Sequence, residues 1–314
     1  SQLLALSVGS DDTITTLVAT DAATADEGVN LVALDTAAST TTLTYNLTDT
    51  AANISATSLN LGTAATVTAT TSVLTAAQAA ALEVLKAAGT IDTLAYTVSS
   101  TADLLIAQGA AAFTNATSIT VTDATTVAKI ANLNDTNASH TGDIDLADMV
   151  YSLSDAGTTI SGDTTTMNGA VNITATGTVT VDQLQVLAGA TNSGTTTVAA
   201  VADSAAEIAT ATDAQLNLVS GTVTANSNAT ATQAGVLGGF AKDVVFSVNT
   251  DEVELAGKSA GLSDAVNIAI TKTTNPLTTA QAATVMGATN SGTTTLAEVS
   301  GTVSQLLALS VGSN

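Results

Sequence analysis

Literal internal repetition constrains the fold of this chain more than any other feature of its sequence. Ser1–Ser10 read SQLLALSVGS, and Ser304–Ser313 read the same ten letters at an offset of 303 residues. A second pair of copies, GATNSGTTT, occupies Gly189–Thr197 and Gly287–Thr295 at an offset of 98 residues. Chance identity of this length is negligible even in a biased composition. Such repeats predict an architecture in which each unit is stabilised mainly by its neighbours.

Between the literal copies lies a degenerate unit whose first part alternates like a strand and ends in a carboxylate. The clearest members are Tyr45-x-Leu47-x-Asp49, Ile119-x-Val121-x-Asp123, Tyr151-x-Leu153-x-Asp155, Ala199-x-Val201-x-Asp203 and Leu17-x-Ala19-x-Asp21. Weaker members begin at Val67, Tyr96, Ile173, Val223, Phe246, Ile268 and Ala297. Successive starts are 22 to 32 residues apart, and the twelve steps sum to 303. The pattern predicts one short strand in each unit of about 25 residues.

Each predicted strand is followed by a short helical signature. Thr75-x-x-Gln78, Thr180-x-x-Gln183 and Thr278-x-x-Gln281 have the spacing of a capping box. In that arrangement the Thr hydroxyl accepts from the third helical N–H, and the Gln side chain returns to the cap. We expect four of the strand-end carboxylates to cap the following helix in the same way: Asp49, Asp123, Asp155 and Asp203.

These elements predict an α/β solenoid of about twelve coils, each a short parallel strand plus a short helix. The array is expected to be continuous over residues 1–314, with a superperiod of 303 residues, so that 304–314 correspond to 1–11. Matching ends predict that the sequence is a window on a longer tandem array. An insertion at 134–148 falls within the longest step and is expected on a loop. The alternative is a right-handed parallel β-helix, in which the helical segments are strands or turns.

Composition agrees with a thin core and restricts the partners. Hydrophobic residues make up 45% of the chain but aromatic residues only 2%, and small side chains cannot fill a wide interior at normal density. Five Lys and Arg against 27 Asp and Glu give a formal net charge of −22. This balance excludes nucleic acid as a partner, because its binding depends on cationic side chains. No stretch of about 20 mainly apolar residues is present, so membrane insertion is not expected.

Catalytic chemistry has few candidates in this sequence. His140 is the only histidine, and it lies in a Ser/Thr/Asn-rich segment that is typical of an exposed loop rather than of a catalytic triad. The absence of Cys excludes disulfides and thiolate zinc sites. We therefore predict that the chain is not an enzyme, requires no cofactor and takes no small-molecule substrate. Asp143, Asp145 and Asp148 are the candidate metal ligands, because carboxylate oxygens suit calcium; the alternative is a solvated acidic loop.

Three segments carry a resemblance to a known class of proteins. Tyr45–Ile54, Tyr151–Asp155 and Ser118–Asp123 resemble repeats of giant Ala/Thr/Asp-rich tandem-repeat surface and secreted proteins of bacteria. The resemblance implies an adhesin, matrix-fibre or surface-layer role, often with secretion through a channel and calcium-assisted folding. The chain departs from calcium-binding nonapeptide proteins because it has no GGxGxD run.

Together these observations predict a structural segment of an extracellular bacterial filament, surface coat or matrix fibre. We expect it outside the cell or at the cell surface, assembled by end-to-end stacking of repeats through self-association or within a longer tandem array. The alternative is the stalk or tip of a secreted adhesin that binds a glycan or cell surface. That role would need exposed aromatic side chains or a functional insertion at 134–148.

Overall fold

A computed structural model describes residues 15–38, 42–56, 64–69, 73–89, 91, 94–134 and 146–309. Strands and short helices alternate along these ranges. The strands are β1 (Thr16–Ala23), β2 (Thr42–Asp49), β3 (Ala64–Ala69), β4 (Val73–Leu74), β5 (Tyr96–Ser100), β6 (Ala116–Thr125), β7 (Met149–Ala156), β8 (Ile173–Val179), β9 (Thr196–Asp203), β10 (Val223–Ala225), β11 (Val244–Val245), β12 (Val248–Asp251), β13 (Ile268–Thr271), β14 (Leu277–Thr278), β15 (Thr294–Leu296) and β16 (Val299–Ser300).

The helices are short and lie between the strands. They are α1 (Ala25–Ala38), α2 (Ala51–Ala56), α3 (Ala76–Ala87), α4 (Ala102–Gln108), α5 (Val127–Leu133), α6 (Gly157–Gly162), α7 (Thr164–Gly169), α8 (Val181–Ala188), α9 (Ala205–Ile208), α10 (Asp213–Leu216), α11 (Ala231–Leu237), α12 (Thr279–Met286) and α13 (Val303–Leu307). Below, a strand together with the helix that follows it is called a strand–helix segment.

The sheets are parallel, and their strands are arranged in chain order. Strands β4 to β11 form an eight-stranded sheet, while β1-β2-β3, β12-β13-β15 and β14-β16 form sheets of three, three and two strands. Parallel neighbours need a crossover connection, which the short helices and turns between them provide. The result is an α/β fold with one central parallel sheet and several small ones.

The predicted α/β solenoid of about twelve coils is therefore wrong, and so is the alternative β-helix. A closed solenoid would add one strand per coil to a continuous sheet, but the described strands belong to four separate sheets. The β-helix is excluded because α-helices occupy the segments between the strands. Pairing is irregular even within a sheet, since the pairs β1–β2, β2–β3, β5–β6 and β8–β9 all contain register shifts. Several strands are only two residues long, which interrupts the hydrogen-bond ladder.

Most of the predicted strand starts lie in strands, with two exceptions. Phe246 lies between β11 and β12, and Ala297 lies between β15 and β16. The backbone at Phe246 is still hydrogen-bonded, since its carbonyl accepts from the N–H of Val266 at 2.7 Å. These two positions mark places where the alternating pattern continues but the strand is broken.

Two compact units divide the chain. The first comprises residues 1–152 and 169–171, and the second comprises 153–168 and 172–314. In the first unit the largest buried side chains include Tyr45, Tyr96 and Phe113. In the second unit the core contains Phe246 together with smaller groups such as Leu184 and Ile208. Inward-facing residues alternate along the strands, as the burial of Tyr45 and Leu47 in β2 illustrates.

The ends of the predicted array fall partly outside the described residues. Residues 1–14 and 310–314 are not among them, and neither are 135–145 of the insertion. At the edges of the insertion, Asn134 is the C-cap of α5, and Leu146–Asp148 form a 3-10 turn before β7. The superperiod of 303 residues over 1–314 therefore stays a prediction.

Candidate functional site: carboxylate clips and the last helix

The three predicted capping boxes are confirmed. In α3, α8 and α12 the Thr hydroxyl accepts from the Gln backbone N–H at 3.2 to 3.3 Å. The Gln side-chain oxygen in turn accepts from the Thr N–H at 2.9 to 3.0 Å. Three further boxes were missed by the sequence analysis, although the T-x-x-Q spacing was there to find them: Thr212/Gln215, Thr230/Gln233 and Thr302/Gln305.

The strand-end carboxylates have a different role from the one predicted. The predicted capping of the following helix is wrong, because Thr50, Thr126 and Ser204 accept the N-terminal bonds of α2, α5 and α9. Three of the carboxylates instead accept a hydrogen bond from the first residue of the preceding helix. The pairs are Asp49 with Ala25 N–H (2.8 Å), Asp123 with Ala102 N–H (2.8 Å) and Asp203 with Val181 N–H (3.0 Å). We call these bonds carboxylate clips. Each clip ties one strand–helix segment to the segment before it.

The second oxygen of the carboxylate often bonds locally. Asp203 Oδ1 accepts from the N–H of Ser204, the N-cap of α9, at 2.8 Å. Asp49 Oδ1 accepts in the same way from Thr50 at 2.6 Å. Such a carboxylate connects the starts of two successive helices. Partial burial acts to raise the pKa of Asp49, but hydrogen bonds from Ala25, Thr50 and Asn53 outweigh it, and the pKa is lowered.

A hydroxyl takes the place of the carboxylate at the next position along the sheet. The N–H of Ala205, the first residue of α9, donates to Ser227 Oγ at 3.0 Å. This hydrogen bond has the same register as the strand pairing beside it. Ala205 and Ser227 are 22 residues apart, and so are the paired strand residues Val201 and Val223. The recurring feature is therefore a side-chain acceptor for the first N–H of the preceding helix, and this acceptor is either a carboxylate or a hydroxyl.

A buried glutamate in the first unit forms a closed network. Glu83 Oε1 accepts from the Tyr96 hydroxyl at 2.5 Å and from the Asn115 N–H at 2.8 Å, and Oε2 accepts from Asn115 Nδ2 at 2.7 Å. Burial raises the pKa of the Tyr96 phenol well above its usual range, and the neighbouring Glu83 adds to the effect. Because both carboxylate oxygens are bonded to protein donors, this cluster fastens α3 to the residues that precede β6.

A second buried glutamate orders a turn in the second unit. Glu252 accepts from the backbone N–H groups of Thr273, Thr274 and Asn275 at 2.8, 2.6 and 2.9 Å. These bonds, led by those from Thr273 and Asn275, lower the pKa of Glu252 to about 2. The carboxylate thus fills a nest of N–H groups in the chain that leads to β14.

The predicted calcium ligands lie mostly outside the described residues. Asp143 and Asp145 are not described, and neither is His140. Asp148 is half-buried in the 3-10 turn before β7. Within the described ranges no group of three or more His, Cys, Asp or Glu side chains is arranged to hold a metal ion. A calcium site at Asp143, Asp145 and Asp148 therefore stays a prediction.

Aromatic side chains are largely unavailable at the surface. Of the three Tyr and three Phe, five are buried, namely Tyr45, Tyr96, Tyr151, Phe113 and Phe246. Phe240 is half-exposed. Sugar binding usually relies on exposed aromatic faces. The burial of these side chains therefore disfavours the exposed aromatic surface that the adhesin alternative would need.

The last helix differs from a matched helix in the interior. The offset of 98 residues that relates the GATNSGTTT copies pairs α9 with α13, so that Ala205 corresponds to Val303 and Ile208 to Leu306. Ala205 and Ile208 are 0% exposed, whereas Val303 is 74% and Leu306 is 40% exposed. Leu307 beside them is 80% exposed. We call Val303, Leu306 and Leu307 the last-helix surface.

The strands beside these two helices explain the difference. Strand β9 has a neighbour on each side, β8 and β10. Strands β15 and β16, which correspond to the two halves of β9, each pair on one side only among the described strands. Among the described strands, the segment of α9 is thus in the interior of a sheet and the corresponding segment of α13 is at a sheet edge.

Comparison with known proteins adds no assignment. The sequence matches no protein-family model, and searches of curated proteins and of solved structures found no match to either. Among the described residues, none of the helices combines the length and the hydrophobicity needed to cross a membrane.

Proposed function

We propose that this chain is a structural segment of an extracellular bacterial filament, surface coat or matrix fibre, and that its copies associate end to end. The observation that carries the proposal is the last-helix surface, where three apolar side chains are exposed at the edge of a sheet. Burying a Val or Leu side chain contributes about 1.5–3 kcal/mol each. Three such side chains in one patch therefore favour association with a complementary surface.

The internal hydrogen bonds support a structural role. Carboxylate clips link consecutive strand–helix segments at Asp49, Asp123 and Asp203. Both oxygens of Glu83 and of Glu252 are likewise bonded to protein donors. In this proposal the acidic groups hold neighbouring parts of the chain together and have no catalytic role.

The charge of the chain indicates the conditions under which association is strongest. A net charge of −22 makes copies repel each other. Salt at about 1 M shortens the Debye length to about 3 Å and removes most of this repulsion. We expect association to need no cofactor, to increase with salt, and to increase further with calcium, which an acidic surface attracts.

Sedimentation velocity tests the proposal directly. The chain, of 30.6 kDa, is measured at rising protein concentration in low salt, in high salt and with calcium. We expect species larger than the monomer, with a fraction that rises with concentration and salt. Val303→Asp should abolish them, and this change is compatible with folding because Asp is favourable in the first turn of a helix.

Leu104→Asp is the matched control, since Leu104 is also an exposed apolar residue in the first turn of a helix, α4. This variant should associate like the wild type. A monomer that persists at high protein and salt concentration would contradict the proposal, and so would equal loss of association in both variants.

A further inference from the structure

We infer that a cleft beside the turn after α11, residues 238–243, binds an acidic sugar, that is, a saccharide unit that carries a carboxylate. The inference adds a ligand to the proposed structural role and does not depend on self-association. The cleft has a volume of about 300 Å³, at the lower end of the range for small-molecule sites. Its lining includes Phe240, Lys242 and Asp243 of the turn, and Asp264 and Ser291 from later segments of the chain.

The turn that supplies Phe240 and Lys242 differs from its two counterparts in the chain. Helices α8, α11 and α12 all begin with a Thr/Gln capping box and end at a C-cap glycine, respectively Gly189, Gly238 and Gly287. Two and four residues after that glycine, the turns after α8 and α12 carry Thr and Ser, whereas the turn after α11 carries Phe240 and Lys242. A connection of this kind therefore needs neither an aromatic nor a cationic side chain.

Both of these side chains are accessible, and both are of a kind that is scarce in this chain. Phe240 is half-exposed, while the other five aromatic side chains are buried. Lys242 is half-buried and forms no ion pair within the described residues, although three other lysines each pair with a carboxylate at 2.6 to 3.0 Å. The cleft thus contains an aromatic surface and a cation that the fold itself does not use.

Hydrogen bonds hold the walls of the cleft in place. The N–H of Ala241, which lies between Phe240 and Lys242 in the chain, donates to Asp213 Oδ1 at 2.8 Å. Val266, which also lines the cleft, donates from its N–H to the carbonyl of Phe246 at 2.7 Å. The carbonyl of Val266 accepts from the N–H that follows Ser291, also at 2.7 Å. Walls that are already ordered reduce the entropy lost when a ligand binds.

The chemistry of the lining groups specifies the ligand. The Lys242 ammonium only donates, so the ligand must present an acceptor, and a carboxylate is the strongest one. Asp243 and Asp264, when ionised, only accept, so the ligand must also present donors such as hydroxyls. The ring face of Phe240 is electron-rich and suits the C–H groups of a sugar ring. A polyhydroxylated ring with one carboxylate, as in a uronic acid, meets all three requirements.

Amide chemical-shift titration of the full chain tests the site. Methyl glucuronide is the acidic probe, methyl glucoside its neutral match and methyl glucosaminide its cationic match. We expect the glucuronide to shift the amides of residues 238–243 and of Ser291, with a Kd of about 1 mM for a ligand of this size. The glucoside should bind about three- to tenfold more weakly, because it has no carboxylate for Lys242. Salt should weaken glucuronide binding by screening, whereas it should strengthen the proposed self-association.

Two variants introduce the residues of the matched turns and are therefore compatible with folding. Lys242→Ser should remove the preference for glucuronide over glucoside. Phe240→Thr should weaken the binding of both sugars about two- to tenfold, while Phe240→Tyr, which keeps the ring, should bind like the wild type. Lys129→Ser removes the same charge from the first unit and should leave the preference unchanged.

The outcomes separate this inference from the proposed function. Absence of shifts at residues 238–243 would overturn the inference, and so would equal affinity for glucuronide and glucoside or a preference for glucosaminide. Equal weakening of glucuronide and glucoside binding by Lys242→Ser would mean that Lys242 only supports the turn, which would also overturn it. Absence of self-association by sedimentation would contradict the proposed function and leave the cleft, which lies within one chain, unaffected.

Discussion

The carboxylate clip at Asp203 allows a prediction with a worked magnitude. Its Oδ2 accepts from the Val181 N–H at 3.0 Å, and its Oδ1 accepts from the Ser204 N–H at 2.8 Å. Val181 is fully buried, so removing the carboxylate by Asp203→Ala leaves its N–H without that acceptor. A hydrogen bond to a charged group contributes about 1.5–3 kcal/mol. The Ser204 bond adds little to this figure because Ser204 is half-exposed and water can replace the carboxylate there.

Amide hydrogen exchange is the assay that resolves a local loss of this size. Since about 1.4 kcal/mol corresponds to a factor of ten, exchange of the α8 amides by local opening should accelerate about 10- to 150-fold in Asp203→Ala. Urea unfolding followed by circular dichroism should show a lower midpoint. Asp203→Asn, which keeps a neutral oxygen acceptor, should lie between the wild type and Asp203→Ala.

The matched control lies in the same helix. Asp182 is exposed in the first turn of α8, where it contributes mainly through the helix dipole, about 0.3–1 kcal/mol. If Asp182→Ala accelerates exchange of the α8 amides as much as Asp203→Ala does, the clip has no special contribution and the reasoning is refuted.

Two further predictions concern the second unit. Gly261→Ala should lower the urea midpoint more than Gly257→Ala. Both glycines have a positive φ, +76° and +73° respectively, and this conformation costs about 1–2 kcal/mol for Ala. Of the two, only the new Cβ at position 261 would also meet a backbone oxygen, that of Ala234. Equal losses would contradict this. The lowered pKa of Glu252, about 2 against an ordinary 4.5, means that its stabilisation is complete above pH 4.5 and is lost as the pH falls through about 2. The wild-type urea midpoint should therefore fall more steeply over that interval than that of Glu252→Gln, and parallel curves would argue against it.

Local features of the fold were predictable where a short motif contains both partners of an interaction. The capping boxes at Thr75, Thr180 and Thr278 needed only a Thr and a Gln three residues apart. The alternating pattern located β2 and β7 for the same reason, since a strand's period of two is visible in six or seven letters. The burial of small side chains likewise followed from the low aromatic content.

The clips were missed because their partners are distant in sequence. Asp49 bonds to Ala25 and Asp203 to Val181, 24 and 22 residues earlier. A backbone N–H has no signature in the sequence, so an Asp that follows a strand reads equally well as a cap for the helix after it. Only the pairing register shows which helix start is within reach.

What the sequence alone determined is the repeating local unit: an alternating strand, a capped short helix, and the offsets of 98 and 303 residues that relate its copies. Only the tertiary structure decided how many sheets these strands form and which apolar residues stay exposed. The reason is that strand pairing depends on the register between segments more than 20 residues apart. Strands of only two residues, such as β11, β14 and β16, interrupt the ladder, and the described strands fall into four sheets. Likewise, Ala205 and Ile208 of α9 are buried while the corresponding Val303 and Leu306 of α13 are exposed, a difference that only the tertiary structure shows.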